Sequence, residues 1–311
     1  MKHILSLSGG KDSTALLLHA LERGVIPQVV FADTGNEHPI TYQYVEYLDK
    51  LFGPFTIVKM SHELINKRIE GKREWIKNHW ADDGVPQNRI NDALRILEPT
   101  GNPFLDLCIW KGRFPSTRRR FCSEMLKHEP IRKHVIDPIL KAGHTVISWQ
   151  GVRADESRQR ANLDIVEQPD ESENLIVFRP LICWTADDVF DQHRRWGIKW
   201  NPLYEMGMRR VGCMPCIHAN KHEMRYIAKQ FPEVIDRVES WEKAVSMASK
   251  GGASMMLDQR VLKKPGPIHY STHGIRQYVE WSFTKWGGKL YDQGVDEIDS
   301  TGCTSVYSLC E

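Results

Sequence analysis

Ser8-Gly9-Gly10-Lys11-Asp12-Ser13 stands between an apolar run, Ile4-Leu5-Ser6-Leu7, and a leucine-rich stretch, Thr14-Ala15-Leu16-Leu17-Leu18-His19-Ala20-Leu21. The run predicts a short buried strand and the stretch predicts a helix. Two glycines between them let the backbone turn sharply and approach a ligand closely. The start of the helix aims N–H groups and the positive end of its dipole at whatever lies there, which favours phosphate. Lys11 adds a charge, and Ser8 and Ser13 add hydroxyl donors. The spacing is not that of the Walker A loop, whose glycines stand further apart and whose motif ends in Gly-Lys-Ser/Thr.

Read outward from this loop, the chain alternates. Gln28-Val29-Val30-Phe31-Ala32 predicts a second strand ending at Asp33-Thr34-Gly35, Tyr42 to Leu48 a helix, and Phe55-Thr56-Ile57-Val58 a third strand. Such a β-α-β-α-β order implies right-handed crossovers, hence an α/β fold with a doubly wound, mostly parallel sheet covered on both faces. Ligands on these sheets bind beyond the carboxyl ends of the strands, where the loop, Asp33 and Thr34 all fall. Asp33 is expected on a ribose hydroxyl or on Mg2+, with a helix N-cap as its ordinary alternative. Later strands are expected at Thr145–Trp149 and Leu175–Phe178. The first of these leads into Gly151-Val152-Arg153-Ala154-Asp155-Glu156-Ser157, with Arg158 and Arg160 after it. Arginines around a strand-end turn suit an oxyanion, which guanidinium grips bidentately; a salt-bridged loop is the alternative.

Composition sets bounds. A chain of 311 residues is ample for a core, and Lys+Arg 42 against Asp+Glu 40 leaves a net charge of +2, so no global field draws in nucleic acid. Met1-Lys2-His3 runs straight into the first strand, and no apolar stretch approaches the roughly 18 residues of a membrane span. A cytoplasmic protein without membrane contact is the expectation. Residues 61–117 interrupt the alternation, with Lys67, Arg68, Lys72, Arg73, Lys77 and Arg89 interleaved among Trp75, Trp80 and Trp110. A helical insertion with core tryptophans and a solvated charged face is the favoured reading. A nucleic-acid or partner-subunit surface is the other.

Seven cysteines, an odd number, point in a reducing compartment to metal or catalysis rather than disulfides. Cys213-x-x-Cys216 alone fits half a zinc site or a redox pair. Cys122 follows Arg118-Arg119-Arg120, whose charge favours thiolate. Three thiolates suffice for a cubane iron–sulfur cluster with one open iron. Cys183, inside an apolar run, reads as a core residue. His218 and His222, four apart on an expected helix, read as ordinary histidines.

Several stretches together resemble the PAPS reductase family of the PP-loop superfamily: Ser8–Ser13, Phe31 to Glu37, Phe121-Cys122 with Leu126-Lys127 and Pro130, Gly151 to Arg160, and Asn201-Pro202-Leu203-Tyr204 through Cys216. They span roughly residues 4–220. The resemblance implies a nucleotide-binding domain over 1–220 and a helical C-terminal region over 221–311. Ser8, Gly9, Gly10, Lys11, Asp12, Ser13, Asp33, Thr34 and Gly151 would line the nucleotide. Arg118, Arg119, Arg120, Lys127, Arg153, Glu156, Ser157 and Arg160 would hold the anionic substrate. Cys122, Cys213 and Cys216 would bear a 4Fe-4S cluster. The intact loop is similar to that of ATP-cleaving members such as DNA phosphorothioation sulfurtransferases, which implies ATP, Mg2+, a sulfur donor, and thiolation with release of AMP and pyrophosphate. Reductases of APS or PAPS are the alternative. They use a tail cysteine, for which Cys310, and less so Cys303, would stand, although the surrounding tail motif differs. A third alternative is a nucleotide-sensing or nucleic-acid-binding subunit without catalysis.

Overall fold

The structure is a computed structural model that describes residues 1–169, 174–257, 259–262 and 264–284. Cys303 and Cys310 lie outside the described residues. Six strands form one sheet: β1 (Lys2–Leu7), β2 (Gln28–Ala32), β3 (Thr56–Val58), β4 (Val146–Trp149), β5 (Val166–Glu167) and β6 (Leu175–Phe178). Their order is β3-β2-β1-β4-β6-β5, and every neighbouring pair is parallel except β5 with β6. The short antiparallel edge strand β5 was not legible as a period-two pattern. From β1 the chain winds outward through β2 and β3, then returns to place β4 on the other side of β1. The sheet thus reverses between β1 and β4, the point beyond whose carboxyl ends open α/β sheets bind their ligands.

Alternation along the central strands decides which helix each face receives. Leu5, Leu7, Val29 and Phe31 share one buried cluster with Leu16, Leu17, Tyr44 and Leu48 from α1 (Lys11–Glu22) and α2 (Pro39–Phe52). Ile4, Val30, Ala32 and Val146 point the other way and pack on Ile131, Val135 and Ile136. These three belong to α6, a helical segment over 123–141 that widens into π-turns at Glu124–His128 and Arg132–Ile136. Each π-turn runs up to a proline, Pro130 or Pro138. Proline brings no N–H to the ladder, so the preceding turn loosens to an i→i+5 bond, as Glu129 N–H makes to the Glu124 carbonyl.

The chain divides into two compact units. Among the described residues, the first holds Met1–Lys59 and Ser123–Met214, and with them the whole sheet; the second holds Met60–Cys122 and those that follow Met214. The second unit is helical. It contains α3 (His62–His79), α4 (Gln87–Ile96), α5 (Pro103–Lys111), α9 (Lys221–Gln230), α10 (Pro232–Ala248), α11 (Tyr270–His273) and α12 (Ile275–Ser282). The first unit adds α7 (Ala186–Trp196) and α8 (Pro202–Glu205). Helices of the insertion and of the segment after residue 220 share one unit.

Two local expectations change. Cys183 is exposed, not core. Leu181-Ile182-Cys183 forms a turn rather than a strand, which buries Leu181 and Ile182 and leaves the thiol facing outward. The helix expected from His218 starts at Lys221, where Asn220 and Glu223 form a reciprocal capping box. His218 precedes that helix, so it does not share a helical face with His222. Among the described residues no helix is long and apolar enough to cross a membrane.

Candidate functional site

The Ser8–Ser13 loop closes β1 onto α1 through its own polar groups. Ser8 N–H donates to Ser13 Oγ at 3.2 Å, and Gly10 N–H donates to Ser8 Oγ at 3.3 Å. Ser13 and Thr14 hydroxyls both donate to the Gly10 carbonyl at 3.0 Å. Gly10 is the N-cap of α1 and supplies no side chain to its first turn. Gly9 has φ +80°, and a Cβ there would stand 2.9 Å from Thr41 Cγ2 and 3.2 Å from Val45 Cγ2 on α2. The loop is pressed so closely on α2 that only glycine fits.

Three residues that the sequence reading did not assign to the site grip this backbone from α7 and α8. Asn201 Nδ2 donates to the Gly9 carbonyl at 3.1 Å, and Lys11 N–H donates to Tyr204 Oη at 3.1 Å. The Lys11 ammonium lies 5.5 Å from the centre of the Tyr204 ring. His193 Nε2 lies 2.9 Å from the Lys11 carbonyl, which as an acceptor requires the proton on that nitrogen. Burial holds the His193 pKa below the usual imidazole value, so the ring is neutral and this donor is fixed. The break at Asn201-Pro202 was the available signal. It marks the start of α8, where Asn201 Oδ1 caps Leu203 N–H while its amide nitrogen reaches the loop.

Asp12 is fully buried and forms ion pairs with Lys11 and Arg153. It orients the cations of the loop. Arg153, 5% exposed, also pairs with Asp155. Burial works against its charge, but Asp12, Glu156 and Asp155 outweigh it and raise its pKa. Glu156 accepts from Arg153 N–H and forms an ion pair with Arg160, and Ser157 Oγ accepts from Arg160 N–H. The turn after β4 is thus a salt-bridged network in which both arginines are buried while Asp155 is exposed. Gly151 owes its identity to packing: a Cβ would lie 3.1 Å from the Asp12 carbonyl oxygen. Lys127 is buried in the 123–141 segment. Arg118 and Arg119 are exposed and Arg120 half-buried, all in the second unit.

At the end of β2, Asp33 Oδ1 accepts from Gly35 N–H at 2.9 Å and from Tyr42 Oη–H at 2.6 Å, and Lys59 lies 2.6 Å from its other oxygen. Burial pushes the Asp33 pKa up, but these three donors together outweigh it and hold the carboxyl below its usual range. The cap of α2 is His38, so Asp33 is not the N-cap. Thr34 Oγ1 donates to buried Glu37 at 2.8 Å, and Tyr42 donates to it at 3.2 Å. Burial, with the neighbouring Glu37 and Asp33 charges, keeps Tyr42 protonated.

Cys213 Sγ lies 3.8 Å from Glu37 Oε1 and 3.7 Å from Thr34 Oγ1. Cys122 and Cys216 are half-buried. Among the described residues no three His, Cys, Asp or Glu side chains converge as a metal centre requires.

The sequence model of the phosphoadenosine phosphosulfate reductase domain matches residues 2–219. A 37.8 kDa uncharacterized protein of Escherichia phage 186 is 45% identical over 99% of this chain and 96% of its own length. Adenosine 5'-phosphosulfate reductase 2 of Bacillus subtilis is 30% identical over 40% of this chain and 49% of its own. A crystal structure of phosphoadenylyl-sulfate reductase from Candida auris, a phosphate complex, covers 70% of this chain and 83% of its own at 17% identity, with a TM-score of 0.43. The loop, the sheet that reverses beside it and a match across more than two thirds of the chain agree: this protein belongs to the phosphoadenosine phosphosulfate reductase domain family.

Proposed function

We propose that the chain is an ATP-dependent sulfur-transfer enzyme that binds its adenylyl nucleotide on the Ser8–Ser13 loop. The observation that carries this reading is the complete loop at the point where the sheet reverses, with its backbone gripped by Asn201, Tyr204 and His193. The start of α1, Lys11 and Ser8 supply the donors for phosphate oxygens, while Ser13 braces the loop through the Gly10 carbonyl. Asp33 and Thr34, at the end of the next strand, suit the ribose. Asp12 serves as a positioning residue for Lys11 and Arg153, and Lys127, Arg153 and Arg160 bring positive charge to the same unit. Mg2+ would arrive with the phosphates, which it prefers to an all-protein cage.

In this reading an acceptor oxygen attacks the α-phosphorus of ATP and pyrophosphate leaves. The adenylated oxygen is then a good leaving group, and a sulfide-level sulfur donor displaces AMP. A second reading is favoured by the sulfonucleotide reductases among the relatives: reduction of APS or PAPS by a thiol pair that supplies two electrons and becomes a disulfide, releasing sulfite and AMP or its 3'-phosphate, with the nucleotide on the same loop.

Anaerobically purified full-length protein tests both. Pyrophosphate release from ATP is the expected result, and Lys11→Ala should lower nucleotide affinity about 10- to 100-fold, the loss of one charged hydrogen bond. Sulfite release from APS or PAPS without ATP cleavage would establish the reductase instead. Iron and sulfide measured on the same preparation report whether Cys122, Cys213 and Cys216 carry a cluster. A protein that binds neither nucleotide would overturn both readings.

A further inference from the structure

In the second unit, aromatic rings and cations form a stripe that the nucleotide reading leaves unused. Arg68, Lys72, Trp75 and His79 fall on one narrow face of α3, spaced four, three and four residues apart. Trp75 and His79 are stacked, with ring centroids 5.1 Å apart and planes 13° apart, and 42% of Trp75 remains exposed. The Lys72 ammonium lies 4.7 Å from the Trp75 ring, and the Arg68 guanidinium 4.8 Å from Trp110 on α5. Lys111 lies 4.0 Å from Trp110 and 5.9 Å from Phe121, which continues the stripe into the segment after α5.

That segment is strongly positive. Between Asp106 and Glu124 there are five cations and no carboxylate. Asp106 itself is buried and accepts from Thr100. Ser116 and Arg119 exchange backbone hydrogen bonds across a tight turn, and Arg118 and Arg119 are exposed on it. Other cations of the insertion are committed to carboxylates: Arg73 to Glu98, Lys77 to Glu74 and Arg95 to Asp92. Lys72 lies beside rings, 4.7 Å from that of Trp75 and 5.8 Å from that of Trp80. Positive charge beside the exposed Trp75–His79 pair complements a polyanion that also presents flat π surfaces.

We propose that this stripe binds single-stranded nucleic acid. Bases stack on the Trp75–His79 pair, and phosphates meet Arg68, Lys72, Arg118 and Arg119. The inference goes beyond the nucleotide reading and does not depend on it, because none of these residues belongs to the Ser8–Ser13 loop.

The test is fluorescence anisotropy of the full-length protein with labelled single-stranded DNA and RNA of about 20 nucleotides, and with a matching duplex, in the absence of ATP. Binding should weaken steeply between about 50 and about 200 mM salt. Trp75→Ala should weaken it about 5- to 100-fold and Trp75→Phe much less, since phenylalanine still stacks. Arg118→Ala with Arg119→Ala should lower the salt slope by about 1.4. Trp75→Ala should leave ATP affinity unchanged, so failure here is distinguishable from failure of the loop reading. Binding of DNA or RNA alike supports the proposal, and a preference between them identifies the sugar recognised. No binding at low salt, equal affinity for the duplex or for heparin, or indifference to Trp75→Ala would overturn it.

Discussion

Gly9 shows how much a single residue decides. Its φ of +80° costs an L-residue about 1–2 kcal/mol, and a Cβ would also press on Thr41 and Val45. Gly9→Ala is therefore expected to destabilise the first unit by about 1–3 kcal/mol and to weaken ATP binding at least tenfold. Urea unfolding and nucleotide titration on the same variant check both effects. Asp12 makes the complementary point. A sequence reading places it in the phosphate cradle, whereas its burial and its two cationic partners make it the anchor beneath that cradle.

At the scale of elements, the join between α1 and the turn after β4 rests on the Asp12–Arg153 pair. Both side chains are withdrawn from water, so removing one partner strands a buried charge. Arg153→Ala should cost about 3–5 kcal/mol, measured by chemical denaturation. Arg153→Lys should recover only part of this, because an ammonium does not reproduce the guanidinium fork that also reaches Asp155. A loss below about 1 kcal/mol would show that Lys11 alone neutralises Asp12. The helices of the insertion carry a different lesson. Trp80, the residue that caps α3, is 1% exposed, as a core reading expects, yet Trp75 within the helix is open and flanked by a cation. Helical period separates the two faces only once the direction of the core is known.

At the scale of the molecule, the two units carry buried groups that titrate in opposite senses. Burial, helped by the Arg23 charge, lowers the His19 pKa to about 4 in the first unit. Between there and its unfolded value of 6.5 the unfolded chain binds the extra proton, so this contribution to stability is lost as pH falls. In the second unit burial raises the Glu242 pKa from 4.5 to about 7, despite the N–H donors of Met256 and Ile275. There the native state holds the proton, and stability is lost as pH rises through that window. The thermal midpoint should consequently change little between about pH 7 and about pH 5. His19→Leu should make the midpoint rise toward the acid end and Glu242→Gln should make it fall. Each effect is expected to be about 1–3 kcal/mol, and parallel behaviour of the two variants would refute the assignment.

The sequence by itself determined the strand–loop–helix around Ser8–Ser13, the parallel winding and the sheet edge on which a ligand would sit. These follow from local periodicity and from the handedness of crossovers, which need no knowledge of distant contacts. It also marked the cysteines and the cation–tryptophan interleaving of the insertion as features in need of a role. Only the tertiary structure decided which polar groups face a ligand and which are consumed internally. Asp12, Arg153 and Glu156 satisfy one another, and Asn201, Tyr204 and His193 hold a loop about 190 residues away in sequence. The physical reason is that burying a charge or a hydrogen-bonding group is costly without a partner, and that partner is set by packing between elements rather than by spacing along the chain.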